Sequence, residues 1–149
     1  MTGYGVVSRS VGGAVSLVEC GVIRTNSAHS LARRIRDIHE GVVELIDRHR
    51  PSSVSVENVY HGKNARSALT LGHTRGAILL AVALKELQLA EYTPREIKKA
   101  VVGTGNATKD QVGFMVQQQL KLKEPPRPAD AADGVAAALC HCLAGTFPR

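Results

Sequence analysis

The chain has 149 residues, of which 44% are hydrophobic and 21% charged, an ordinary globular composition that excludes a disordered tail. Lysine and arginine number 19 against 13 acids, for a formal charge of +6, and such an excess favours polyanionic partners such as nucleic acid. The longest unbroken apolar run, 77–84, is far shorter than the roughly 18–20 residues that span a bilayer, and no apolar stretch follows Met1 as in a signal peptide, so the expectation is a cytoplasmic, single-domain protein over 1–149 with no membrane partner.

Residues 4–9 read as a strand, Gly12-Gly13 as a tight turn and residues 14–24 as the hairpin partner, with Val15 and Leu17 on one face. Asn26 or Ser27 is placed to cap a helix with the apolar stripe Leu31, Ile35, Ile38, Val42, Leu45 and Ile46, closed by Pro51. Arg33, Arg34, Arg36, Arg48 and Arg50 fall on its outer face, either as a solvated surface or as phosphate contacts. Residues 52–58 alternate as a short strand ending in Glu57, a position where open α/β sheets place ligands. A helix is expected over 65–89, and its Ala68, Gly72 and Gly76 recur every four residues. Glycine in a helix costs about 1 kcal/mol relative to alanine, so these positions predict a close approach, to the sheet, to a second copy of the chain, or to both.

Residues 91–93 predict a last strand, and Thr93, Pro94 and Glu96 form a capping box that starts a helix reaching Val102. Thr108 and Gln111 start another, with Val112, Met115, Val116 and Leu120 inward. Six basic residues between 95 and 123 (Arg95, Lys98, Lys99, Lys109, Lys121, Lys123) face two acids, Glu96 and Asp110, and mark the polyanion-binding side. The prolines of 124–128 then lead into an alanine-rich helix carrying Asp130 and Asp133 at i and i+3. Two acids there are either ordinary first-turn residues favoured by the helix dipole or a pair that needs a cation between them. Scarce aromatics and no tryptophan argue against an extended base-stacking platform. Cys20, Cys140 and Cys142 lack zinc-site spacing and are expected as reduced thiols. The order of elements predicts an α/β fold with one mixed sheet.

Glu57, Asp130 and Asp133 come from elements that a mixed sheet can bring together, and with a basic surface they suit two-metal phosphodiester hydrolysis. A phosphotransferase is disfavoured by the lack of a GxxxxGK[ST] loop. The blocks Thr2-Gly3-Tyr4-Gly5, Val56-Glu57-Asn58-Val59-Tyr60, Gly72-His73-Thr74-Arg75-Gly76 and Ala129-Asp130-Ala131-Ala132-Asp133, together with the 97–105 and 109–112 segments, occur in one order along the chain. This pattern resembles the RuvC family of Holliday junction endonucleases, whose fold is ribonuclease H-like, a mixed β-sheet flanked by helices. The resemblance implies a homodimer, meeting through the helix with Gly72 and Gly76, that nicks four-way junction DNA symmetrically in recombination and repair. It implies two Mg2+ ions per site, or Mn2+, on Glu57, Asp130 and Asp133. It also implies Lys98 and Lys109 near the reacting phosphate, Lys98, Lys99 and Lys109 on DNA, and Tyr60 stacked on an unpaired base. The partners implied are a branch-migration motor and a junction-clamping protein. Family members carry an Asp-Pro-Gly strand ahead of the Thr-Gly block, central in the sheet and bearing a fourth acid. Here the expectation is an upstream extension with that strand, or else a junction-binding relative that does not cut.

Overall fold

Small and branched residues make Thr2–Arg9 the first strand (β1), and a turn at Gly12 and Gly13 brings it against Val15–Ile23 (β2). Gly13 has φ 89°, a conformation open to glycine at little cost. The structure, a computed structural model, describes residues 1–59 and 63–145. The first helix (α1, Leu31–His49) is capped by Ser30, whose hydroxyl accepts from Arg33 N–H. Asn26, an expected cap, instead accepts from Ala28 N–H in a local turn ahead of the helix. Ile38 and Ile46 of the predicted stripe are buried, whereas Leu31, on the first turn, is exposed.

Strand β3 (Ser53–Glu57) leads to α2 (Ala65–Leu84), capped by Asn64. This helix stops short of the expected residue 89 because Glu86 turns to φ 54°. Glu86 N–H then bonds Ala83 O and Leu87 N–H bonds Val82 O, the double closure of a Schellman motif made without glycine. The freed residues form β4 (Gln88–Tyr92). Both predicted capping boxes are present, at the starts of α3 (Pro94–Val102) and α4 (Lys109–Gln119). The last helix, α5 (Ala129–Ala144), follows Pro128 with no side-chain cap, so neither aspartate serves as one.

The strands pair as β1 with β2 and β3 with β4, in two two-stranded sheets where one mixed sheet is expected. Among the described residues no further strand joins the pairs. By contacts the chain divides into two compact units. One comprises Met1–Val22, Ser55–Asn58 and the chain from Ala90 onward. Within it α5 packs on β1, α3 and α4, and Val101, Val116, Val135 and Leu139 are buried at its centre. The approach of α5 to β1 is backbone to backbone. A Cβ built on Gly3 would lie 1.6 Å from the Asp130 carbonyl oxygen, and one on Gly134 would lie 2.5 Å from Tyr4 Cα.

The other unit comprises Ile23–Val54 and Val59–Leu89, where α1 packs on α2 over Ile38, Ile46, Ala77, Ala81 and Val82. Of the outer arginines of α1, Arg36 pairs with Glu40 and Arg48 with Glu44, while Arg34 Nε donates to Thr25 Oγ1 ahead of the helix. On α2 no described residue lies within 4 Å of a Cβ built at Gly72 or Gly76. By length and composition α2 is apolar enough to cross a membrane, and most of it is exposed.

Candidate active site

Register places the acids. Ser55 on β3 donates its hydroxyl to the Ala137 carbonyl of α5 at 3.0 Å. Two residues further along the strand is Glu57, about 6.6 Å on; four residues back along the helix is Asp133, about 6 Å on. The Ser55–Ala137 contact ties the two elements together, and Asp133 is close enough for its charge to act on Glu57. The end of β3 is pinned by its neighbour as well: Asn58 N–H bonds Tyr92 O at 2.8 Å, the Asn58 amide reaches Glu91, and the Asn58 side chain is buried. Tyr92 in turn makes a 2.8 Å hydrogen bond to His141 Nδ1 on α5.

The charges around Glu57 agree with this. Glu57 is exposed at the strand end, yet the protein around it takes away part of its solvation. That loss of solvation, and then the negative charge of Asp133, raise its carboxyl above the usual glutamate range, while Lys109 and Lys98 pull it down. Lys109 Nζ donates to Asp133 Oδ2 at 3.2 Å. Both side chains are substantially exposed, so the pair adds little stability.

The structure thus brings together Glu57, Asp133, Lys98 and Lys109. Asp130 sits one turn before Asp133 with its carbonyl against Gly3, and neither it nor Lys99 is among the charges acting on Glu57. Among the described residues no group of three or more His, Cys, Asp or Glu is close enough to hold one metal ion. Tyr60 lies outside the described residues. The donor chemistry still fits a hard divalent cation, because magnesium commonly takes one or two carboxylates and completes its shell with water and substrate phosphate. Glu57 and Asp133 are such a pair, and the Lys109 ammonium supplies the positive charge beside them.

The acids and lysines stand out in the sequence, but the residues that position them do not. Gly3, Gly5 and Gly134 let α5 lie on β1, and the signal was present as glycines two apart on one strand face. Ser55, Tyr92 and His141 carry no motif, since their roles exist only once β3, β4 and α5 meet.

Paired acids flanked by lysines in an α/β fold define a class of protein suited to phosphodiester chemistry. The family model described as "Crossover junction endodeoxyribonuclease RuvC" matches residues 1–141, and the chain belongs to the RuvC family. It is 45% identical to the crossover junction endodeoxyribonuclease RuvC of Pelotomaculum thermopropionicum, over 100% of this chain and 90% of that one. The RuvC of a Parafrankia species is 47% identical, over 96% of this chain and 80% of that one. A solved Thermus thermophilus RuvC structure superposes with TM-score 0.86 at 34% identity, covering 95% of this chain and 86% of the other. The same organism's RuvC in complex with Holliday junction substrate gives TM-score 0.88 at 34% identity, with 94% and 85% coverage. The ribonuclease H-like fold follows from these neighbours.

Proposed function

We propose that this chain is a metal-dependent endodeoxyribonuclease that resolves four-way DNA junctions by symmetric nicking, in recombination and repair. The observation that carries this reading is the convergence of Glu57, Asp133, Lys98 and Lys109 in a member of the RuvC family. Glu57 and Asp133, joined by Asp130, would hold Mg2+ or Mn2+, two ions in a full site. Such ions activate water and neutralise charge on the scissile phosphate. Lys98 stabilises negative charge building on the phosphate, and Lys109, released from Asp133, pairs with the backbone. Lys99 and Tyr60 extend the DNA contact, Tyr60 by stacking on an unpaired base. The work is done in the cytoplasm on the chromosome, by a chain that acts as a single nuclease domain. A branch-migration motor and a junction-clamping protein are its expected companions.

The exposed face of α2 supports a homodimer. Gly72, Gly76, Leu80 and Leu84 follow at four-residue steps, the glycines have open space around them, and Leu80 and Leu84 are 53% and 66% exposed. A second copy packed there would cover apolar surface that α1 does not.

The alternative reading is a relative that binds junctions without cutting them. The two separate in one experiment. A synthetic four-way junction is incubated with the chain and Mg2+; paired nicks at symmetric positions support the nuclease, and a gel shift with intact strands supports the binder.

A further inference from the structure

Beside the Lys109–Asp133 pair, α4, the proline-rich segment and the start of α5 line an open cavity of about 590 Å3, a size that holds a small organic group. Its walls are unlike the rest of the candidate site. Phe114, 57% exposed, is in the wall and is the exposed aromatic ring among the described residues. Pro125, Pro126 and Gly113 also line it, and among the described residues only Pro125 comes within 4 Å of a Cβ built on Gly113, at 3.9 Å. The lining charges balance, Lys109 and Arg127 against Asp110 and Asp133. A cavity with no net charge is a poor trap for phosphate. An aromatic face with a balanced polar rim suits a flat, neutral, hydrogen-bonding group.

We propose that this cavity is a nucleobase pocket, in which Phe114 stacks on one unpaired base of the DNA whose neighbouring phosphate lies at Glu57, Asp133 and Lys109. The inference rests on the DNA-nuclease reading and deepens it. Continuity supports it, because Lys109 and Asp133 belong both to the site and to the cavity wall. A base in the pocket fixes where along the strand the phosphate stops, so the pocket sets cleavage position, while affinity rests mainly on the surrounding lysines.

The chain has no tryptophan, so Phe114→Trp gives a single indole reporter at the pocket. Its emission is titrated without divalent cation against a four-way junction, against oligodeoxythymidylate, and against an abasic oligonucleotide of equal length. The pocket predicts strong quenching by the first two and at most a third of that by the abasic strand. It also predicts that adding Gly113→Leu, which fills the cavity and favours the helix, removes the quenching. Stacking of this kind weakens roughly tenfold or more when the ring is lost, so Phe114→Ala should lower oligothymidylate affinity by about that factor. Equal quenching by the abasic strand overturns the proposal. So does unchanged emission when a gel shift shows the DNA bound. If the junction fails to bind, the nuclease reading falls separately, and the two single strands still decide the pocket.

Discussion

The ionised carboxyl of Glu57 is opposed by two things, loss of solvation and the charge of Asp133, and relieved by two lysines. Replacing it with glutamine removes the opposed charge and keeps the shape. Glu57→Gln should therefore melt at the same or a slightly higher temperature than the parent in EDTA, yet lose at least about a hundredfold in cleavage, since even outer-shell changes at metal sites cost 10–100-fold. Junction binding by gel shift should persist. A variant that cleaves at the parental rate would remove Glu57 from the site. Lys98→Ala should lower the cleavage rate more than junction affinity, whereas loss of a residue that only contacts phosphate flattens the salt dependence of binding. His141 gives a pH prediction. Burial lowers its pKa below the ordinary histidine range, with Tyr92 bonded to Nδ1. Because the folded value is the lower one, the neutral ring contributes stability above the unfolded histidine range, and this is lost as pH falls through the folded pKa. Thermal melts should decline on acidification into that window, and His141→Gln should show a shallower decline over it.

At the level of elements, the contact of α5 with β1 decides whether Asp133 reaches Glu57. Gly134 meets the Tyr4 backbone, so the neighbour cannot swing aside as a flexible side chain would. Gly134→Ala should destabilise the chain by about 3 kcal/mol or more, despite alanine's better helix propensity. A melt within a degree or two of the parent would show that α5 has room to move. Helix starts were readable from sequence because caps are local: Thr93 with Glu96 and Thr108 with Gln111 fix α3 and α4 within a few residues. The end of α2 was not, because Glu86 takes the left-handed turn that glycine normally signals. Glu86→Gly should accordingly raise stability by roughly 1 kcal/mol, the cost of a left-handed side chain, as read from denaturant midpoints. Sheet pairing and the Phe114 cavity were hidden for another reason. Both depend on segments distant in sequence, and no local pattern records which edges or loops meet.

For the whole molecule, symmetric cleavage requires two sites in a fixed relation, and one chain supplies one. The face of α2 carries Gly72 and Gly76 with open space, flanked by Leu69, Leu80 and Leu84 at 64%, 53% and 66% exposure. Helices that meet across small residues approach closely, so a large side chain at a glycine separates them while leaving the rest of the chain untouched. In this helix Gly76→Leu also improves propensity, so any loss of assembly cannot be charged to loss of fold. The parent should sediment at about twice 15.9 kDa, and Gly76→Leu near the single-chain mass with an undiminished melting temperature. If dimerisation couples the two cuts, the variant should leave junctions nicked on one strand under conditions where the parent has cut both. Paired cutting by a chain that sediments as a monomer would place the symmetry in the DNA and leave the apolar face of α2 to another partner.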